Sequence, residues 1–188
     1  MGYGGGTQRA PTYNSLGDHT ESIQIDYDPV KITYQELLDI FWQSHNPITR
    51  SWSRQYRNVI FYHNEEQKRL AIESREAESN RRGGRIHTAI EPMTGFTIAE
   101  DYHQKYRLQN EHVLLREFRA MYPGEKDFMN STAVARVNGY LGGYGTPKML
   151  TNELKSLGLS EQGERALVEI LSESRPAFRS CAVKEPIE

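Results

Sequence analysis

Glu21 stands at a position suited to acid–base chemistry. Residues 21–27 alternate between apolar and polar side chains, which predicts a half-buried strand whose apolar face carries Glu21, Ile23, Ile25 and Tyr27. A carboxyl group that faces apolar surroundings resists ionisation, so it can serve as a general acid near neutral pH. The alternative is that Glu21 lies at the strand end, turns outward and is solvated.

A second group of chemically capable residues is the run Glu100-Asp101-Tyr102-His103. An acidic pair followed by a histidine could hold a metal ion. The other five histidines are scattered, however, and no second ligand pair at helical spacing accompanies the run. We therefore favour a hydrogen-bonded structural cluster that fixes the loops around a pocket. The sequence is also rich in tyrosine, with eleven copies against six phenylalanines, and tyrosines suit a pocket for a small, partly polar group.

Composition excludes several classes of protein. The 188 residues are enough for one domain with a core, and a charged fraction of 26% with a net charge of −2 argues against a nucleic-acid-binding surface. The basic run at 80–85 is short and is interpreted as a solvated loop rather than a phosphate site. No apolar stretch approaches the roughly 20 residues of a membrane span, and the first residues of the given sequence contain no apolar region of the signal-peptide type. The single cysteine, Cys181, excludes an internal disulfide, and we expect a cytoplasmic monomer.

The order of predicted elements indicates an α+β fold. Glycine-rich residues 2–18 read as a loop, and strands are predicted at 21–27, 58–62 and 86–91. Helices are predicted after a capping box at Thr33 and after a cap at Asn64. From about Ala99 the pattern is helical; it is interrupted by a glycine-rich loop at 139–145. It then resumes at Thr146-Pro147 and at Ser160, and ends in a loose tail at 175–188.

Three motifs together resemble one enzyme family. They are Gly-Gly-Gly-Thr-Gln-Arg-Ala-Pro-Thr-Tyr (4–13), Gly-Asp-His-Thr-Glu (17–21) and Ala-Glu-Asp-Tyr-His-Gln-Lys-Tyr (99–106). The sequence resembles the A-type peptide-methionine sulfoxide reductases, peptide-methionine (S)-S-oxide reductases that reduce the S-epimer of methionine sulfoxide. In that family a cysteine thiolate attacks sulfur and becomes a sulfenic acid, while a glutamate and tyrosine hydroxyls assist the departing oxygen.

The resemblance implies roles for four residues. Glu21 matches the proton-donating glutamate, and Tyr13 and Tyr56 match two tyrosines that bind the sulfoxide oxygen. Tyr140, in Gly-Tyr-Leu-Gly, fits a tyrosine that edges the pocket. Without the motifs, Tyr13 would read as a turn residue and Tyr56 as a packing residue at the start of a strand.

The sequence departs from the family pattern at several positions. The family's nucleophile lies in a Gly-Cys-Phe-Trp segment that these 188 residues do not contain, so we expect the chain to be truncated at its N-terminus. Leu141 stands where a resolving cysteine would stand, and Ser51 lies nearest the position of a family aspartate. No role is transferred to Ser51, whereas Trp52 could line the pocket mouth. Cys181 is a weak candidate for resolving the sulfenic acid.

The resemblance also implies the fold and the partners. The expected fold is a ferredoxin-like plait that lacks its first strand and helix, with a reductase-like domain at 1–145 and a helical extension and tail at 146–188. The expected function is reduction of methionine-S-sulfoxide in proteins and free methionine, without a cofactor and with thioredoxin or another thiol as reductant. The alternative is an inactive form that binds oxidised methionine peptides, or an interaction module.

Overall fold

The chain contains two compact units. The computed structural model describes residues 1–174, which divide into an N-terminal unit, Met1–Glu100, and a helical unit that starts at Asp101. The N-terminal unit combines small sheets with helices, and the described chain as a whole holds eight α-helices, which confirms the α+β class. Within residues 1–174, no helix has both the length and the apolar character that crossing a membrane requires.

The N-terminal unit holds two small sheets and two helices. Its elements are β1 (Gly2–Gly4), β2 (Thr20–Ser22), α1 (Tyr34–Gln43), β3 (Val59–Tyr62), α2 (Glu65–Arg82), β4 (Ala89–Pro92) and β5 (Phe96–Ile98). In the first sheet, β1 lies between β2 and β5 and is antiparallel to both. In the second sheet, β3 and β4 are parallel. Tyr3 of β1 lies directly opposite Glu21 of β2, so the two side chains share one face of the ladder.

The two long helices begin where the sequence predicts. At Thr33 the hydroxyl accepts the Glu36 N–H while the Glu36 carboxylate reaches back to the cap, and this confirms the capping box. Asn64 caps α2 in a similar way by accepting the N–H of Gln67. The helices pack through Trp42, whose indole N–H donates to the Ser74 hydroxyl at 3.1 Å.

The strand predictions are only partly correct. The predicted strand at 21–27 is wrong beyond Ser22, and its supposed apolar face is open because Ile23 is 73% exposed and Ile25 is 53% exposed. Within the described residues β2 pairs only with β1, so nothing extends the ladder past Ser22. The segment at 2–18, predicted to be a loop, contains β1. The strands predicted at 58–62 and 86–91 correspond to β3 and β4.

The helical unit surrounds its own core. Its α-helices are α3 (Tyr106–Gln109), α4 (His112–Met121), α5 (Glu125–Asn130), α6 (Thr132–Leu141), α7 (Pro147–Glu153) and α8 (Glu161–Ser174). Fully buried side chains hold them together, among them Leu114, Phe118, Phe128, Leu150 and Leu167. Each such side chain contributes about 1.5–3 kcal/mol when it leaves water.

Sequence signals place two helices of this unit correctly and misplace one boundary. The Thr146 cap with Pro147 in the first turn of α7 is confirmed, and the Ser160 hydroxyl accepts the N–H of Gly163 at the start of α8. The predicted glycine-rich loop at 139–145 begins too early, because α6 continues to Leu141. The predicted tail at 175–188 lies outside the described residues.

Candidate active site

Glu21 is hydrogen-bonded to the side-chain amide of Gln55. Its backbone N–H donates to the Gln55 carbonyl at 3.0 Å, and its carboxylate Oε1 accepts from Gln55 Nε2 at 2.7 Å. The side chain is half-buried. The predicted half-buried face that Glu21 would share with Ile23 and Ile25 does not form, because both isoleucines are more than half exposed, and the carboxylate is held by a hydrogen bond that spans 34 residues of chain.

Two tyrosine hydroxyls lie beside this carboxylate. The Tyr56 and Tyr13 oxygens are 3.4 Å apart, and Gln55 Nε2 donates to the Tyr56 oxygen at 3.0 Å. Both tyrosines are partly open to solvent, at 41% and 39% exposure. The hydrogen bond with Tyr13, together with burial and the charge of Glu21, raises the pKa of Tyr56 to about 12. The structure thus joins three of the four predicted site residues, Tyr13, Tyr56 and Glu21, in one hydrogen-bonded row. Gln55, which was not predicted, links Tyr56 to Glu21 in this row.

Glu100 anchors the loop that carries Tyr13. One carboxylate oxygen of Glu100 accepts the Tyr13 backbone N–H at 3.1 Å, and the other accepts the Tyr3 hydroxyl at 2.5 Å. The Tyr3 ring is only 1% exposed. These bonds fit the hydrogen-bonded structural role predicted for the acidic run that begins at Glu100. Within the described residues, no group of three His, Cys, Asp or Glu side chains is placed to hold a metal ion.

The segment that carries Gln55 and Tyr56 is tied to the segment that carries Glu21. Arg54 Nε donates to the Asp18 carbonyl at 2.6 Å, and the Thr20 hydroxyl donates to the Arg54 carbonyl at 3.1 Å. Arg57 Nε donates to the Thr20 hydroxyl at 2.9 Å, while the same guanidinium binds both carboxylate oxygens of Glu91 at 2.5 and 2.6 Å. A bidentate pair of this kind fixes orientation as well as distance.

The loop before β2 is organised around Asp18. Its carboxylate accepts the backbone N–H and the hydroxyl of Thr7, at 2.8 and 2.9 Å, and the backbone N–H of Gln8 at 3.2 Å. These donors, of which the Thr7 backbone N–H contributes most, lower the pKa of Asp18 to about 2. The Gly-Asp-His-Thr-Glu motif therefore contains one acid that shapes the loop and another, Glu21, that belongs to the row of hydroxyl and carboxyl groups.

A cleft of about 660 Å³ opens beside Glu21 and Tyr56. Most of its wall surface is apolar, with contributions from Ile25, Leu37 and Phe61, and polar side chains such as Gln55 and Arg57 complete the lining. Carboxyl and hydroxyl groups next to an apolar wall suit a ligand that combines a polar atom with an alkyl chain. Trp52 is 84% exposed and its ring lies 5.4 Å from that of Tyr56, centroid to centroid.

Tyr140 belongs to the helical unit. It lies in α6 with 3% of its surface exposed, and its hydroxyl donates to Glu153 at 2.6 Å. Arg136 also pairs with the Glu153 carboxylate. The expected position of Tyr140 at the edge of the pocket stays a prediction. Leu141 is the last residue of α6, and Cys181 lies outside the described residues.

Sequence reasoning missed Gln55, Glu100 as a direct anchor of Tyr13, and Tyr3. Gln55 precedes the predicted Tyr56, and a polar side chain next to a candidate site residue was the only available signal for it. Tyr3 lies in a glycine-rich stretch that reads as a loop, and nothing local marks its ring as buried.

Comparisons with known proteins agree on one family. The profile of the family described as "Peptide methionine sulfoxide reductase" matches residues 1–143. The profile described as "Selenoprotein methionine sulfoxide reductase A, helical domain" matches residues 125–172. Together the two matches reach into both units of the chain.

Individual relatives and a solved structure carry the same name or fold. A peptide methionine sulfoxide reductase from Drosophila melanogaster is 41% identical over 162 residues, covering 85% of this chain and 65% of the relative. The enzyme MsrA from Methanothermobacter thermautotrophicus is 46% identical over 121 residues, covering 58% of this chain and 72% of the relative. The crystal structure of reduced Mxr1 from Saccharomyces cerevisiae aligns with a TM-score of 0.55 at 30% identity, covering 58% of this chain and 69% of that one.

The chain is shorter than some of these relatives. It spans 65% of the length of the Drosophila protein and 56% of the length of peptide methionine sulfoxide reductase A5 from Arabidopsis thaliana. The family profile nevertheless covers more than half of the chain, and the motif residues it spans include Tyr13, Glu21 and Tyr56. The chain belongs to the peptide methionine sulfoxide reductase family.

Proposed function

We propose that this chain acts in the reduction of methionine-S-sulfoxide, both in proteins and as the free amino acid. The observation that carries the proposal is the hydrogen-bonded row of Tyr13, Tyr56, Gln55 and Glu21 beside a largely apolar cleft. The hydroxyl groups suit a sulfoxide oxygen, and the apolar wall suits a methionine side chain. Family membership supports the same reaction.

In the proposed reaction, Tyr13 and Tyr56 supply the hydroxyl groups that hydrogen-bond to the sulfoxide oxygen in the course of the reaction, and Glu21 supplies a proton. Attack of a cysteine thiolate on the sulfoxide sulfur forms a transient sulfur–sulfur bond. The oxygen then transfers to the cysteine sulfur as the substrate's sulfur–oxygen bond and the sulfur–sulfur bond break, and methionine leaves. The oxygen ends on the cysteine with the proton, as a sulfenic acid. Two thiols then reduce the sulfenic acid, releasing water and forming a disulfide. Protonation matters because an unprotonated oxygen is a poor leaving group.

The described residues would supply the oxygen-binding and proton-donating half of this site. Residues 1–174 contain no cysteine, and Cys181 is the only one in the sequence. The thiolate would therefore come from Cys181 or from a cysteine outside these 188 residues. We favour the second source, because the family's nucleophile lies in a Gly-Cys-Phe-Trp segment.

The remaining expectations extend the proposal. Tyr140 would edge the pocket, within a reductase-like domain at 1–145 that forms a ferredoxin-like plait, followed by a helical extension at 146–188. A thioredoxin-like thiol would be the reductant without any further cofactor. The protein would work as a cytoplasmic monomer on oxidised proteins and peptides.

Turnover of a methionine-S-sulfoxide peptide with dithiothreitol tests the function. We would compare the chain, its Cys181→Ser variant, and a fusion in which a Gly-Cys-Phe-Trp segment precedes Met1. We expect turnover in the fusion, selectivity for the S-epimer over the R-epimer, and a loss of about 10²-fold or more in a Glu21→Gln fusion, as for removal of a general acid.

Each contrary result has a distinct meaning. Turnover by the chain alone that is lost in Cys181→Ser would contradict our choice of nucleophile. Binding of the sulfoxide peptide without turnover in any form would favour an inactive binding protein. If no form of the protein showed either turnover or binding of the sulfoxide peptide, the proposed function would be refuted.

A further inference from the structure

The Gln55 amide nitrogen makes two hydrogen bonds that lead to two different reacting groups. Nε2 lies 2.7 Å from Glu21 Oε1 and 3.0 Å from the Tyr56 oxygen. The backbone of the same residue is fixed as well, because its carbonyl accepts the Glu21 N–H at 3.0 Å. The amide group therefore lies between the Glu21 carboxyl and the Tyr56 hydroxyl, on a backbone that is hydrogen-bonded to Glu21.

Counting hydrogens assigns the donors in this arrangement. A primary amide nitrogen carries two N–H bonds, and an ionised carboxylate can only accept. One N–H therefore points to Glu21 and the other to the Tyr56 oxygen. Because the Tyr56 oxygen accepts from Gln55, its own O–H is left to donate towards Tyr13, whose oxygen lies 3.4 Å away. The hydrogen bond to Tyr13 raises the pKa of Tyr56, which agrees with Tyr56 being the donor of that pair.

Protonation of Glu21 on Oε1, the oxygen that faces Gln55, reverses the pattern. That oxygen then presents an O–H, and the carboxyl O–H and the amide N–H cannot face each other as two donors. A half turn of the Gln55 amide about its Cγ–Cδ bond exchanges Nε2 for Oε1, whose two lone pairs can accept from both neighbours. In that state the Tyr56 O–H points to Gln55 and no longer to Tyr13.

We propose that Gln55 is a positioning residue whose amide couples the protonation state of Glu21 to the direction in which the Tyr56 hydroxyl donates. Its importance for catalysis rests on the proposed function. In the proposed reaction, Glu21 and Tyr56 would donate to the sulfoxide oxygen one after the other. Glu21 gives up its proton first, the amide turns, and the freed Tyr56 O–H then stabilises the departing oxygen.

Other titratable groups surround this row and must be separated from it. Arg54 and Arg57 flank Gln55, but the structure pairs them with the Asp18 carbonyl and with Glu91. The remaining titratable groups that line the cleft are those of Tyr27, Tyr34, His45 and His63 and the amino group of Met1. A Glu21→Gln variant removes the carboxyl titration alone and leaves all of these groups in place.

Nuclear magnetic resonance on the full chain without substrate tests the coupling. Three signals would be followed from pH 3 to 8: the Glu21 carboxyl carbon, the Gln55 side-chain amide and the Tyr56 Cζ. We expect all three to move with one common midpoint, and the steps at Gln55 and Tyr56 to vanish in Glu21→Gln. In Gln55→Met, the Tyr56 signal should no longer follow Glu21.

Gln35 offers a matched control, because its amide donates to the Asp39 carboxylate at 3.1 Å on an exposed part of α1 and, among residues 1–174, makes no hydrogen bond to a tyrosine. Gln35→Met should leave the Tyr56 step unchanged. A Gln55 amide that ignores pH, or a Tyr56 step that survives in Gln55→Met, would overturn the proposal. The Glu21→Gln measurement remains decisive if Gln55→Met does not fold. None of these signals depends on turnover, so failure of the proposed function would be seen separately.

Discussion

Removing one buried hydroxyl group should weaken both the N-terminal unit and the candidate site. Tyr3 lies in the middle of β1, opposite Glu21, and donates to the Glu100 carboxylate at 2.5 Å. Glu100 in turn holds the Tyr13 backbone N–H at 3.1 Å. Tyr3→Phe deletes the donor while keeping the ring, so its effect reports the hydrogen bond rather than the packing.

The size of the effect follows from the type of bond. Hydrogen bonds to charged groups contribute about 1.5–3 kcal/mol. Glu100 is half-buried and keeps its bond to Tyr13, so water can replace part of the loss, and we expect about 2 kcal/mol. With a urea slope of about 2 kcal/mol per molar, the unfolding midpoint of the N-terminal unit should fall by about 1 M.

Tyr27→Phe is the matched control, because the structure gives Tyr27 no hydrogen bond within residues 1–174. Its free energy of unfolding should change by less than about 0.5 kcal/mol, as for most substitutions away from special features. Equal free energies of unfolding for Tyr3→Phe and Tyr27→Phe would refute the reasoning, since the bond to Glu100 would then contribute nothing.

Three further outcomes follow from the structure. The low pKa of Asp18, about 2 against an ordinary 3.8, means that its bonds with Thr7 stabilise the fold above about pH 4 and stop doing so as pH falls through 2. The difference in unfolding free energy between wild type and Asp18→Asn should therefore shrink over that range in acid titrations. Gly145→Ala should destabilise the helical unit by about 1–2 kcal/mol or more in denaturant unfolding, because φ is +86° and a Cβ would lie 2.5 Å from the Tyr140 ring. The Tyr56 Cζ signal should titrate near pH 12.

Contrasting variants sharpen these outcomes. Gly139 lies inside α6 with open space around it, so Gly139→Ala should be neutral or stabilising by up to about 1 kcal/mol, opposite in sign to Gly145→Ala. If the difference in unfolding free energy between wild type and Asp18→Asn stayed constant as the pH fell from 4 to 2, the role given to the Asp18 carboxylate would be contradicted. Titration of Tyr56 near pH 10 would show that its hydroxyl does not donate to Tyr13. In Tyr13→Phe, the titration midpoint of Tyr56 should be lower than in the wild type.

Local chemistry made the helix starts predictable. The Thr33, Asn64 and Thr146 side chains each accept a backbone N–H within three residues, so the signal and its partner lie in one short segment. Motif resemblance also identified Tyr13 and Tyr56, whose hydroxyl oxygens lie 3.4 Å apart in the structure. In both cases the information lies in neighbouring letters of the sequence.

Pairing over long distances explains what the sequence could not predict. Alternation over 21–27 is a real pattern, but a strand forms only where a partner backbone is present, and β2 has its partner only at 20–22. Glu100 bonds to Tyr3 across 97 residues, and Gln55 bonds to Glu21 across 34. No local rule connects residues so far apart, so the amide that organises the candidate site appears only once the chain is folded.

Binding of a methionine-S-sulfoxide peptide tests the central claim most directly, namely that Tyr13 and Tyr56 form the site for the sulfoxide oxygen. We would titrate the chain with this peptide and with its methionine counterpart while following the two tyrosine Cζ signals. Both signals should move with the sulfoxide and not with the thioether. The Tyr13→Phe, Tyr56→Phe double variant should bind the sulfoxide about tenfold more weakly, as for the loss of two neutral hydrogen bonds. Equal binding of sulfoxide and thioether, or unchanged affinity in the double variant, would contradict it.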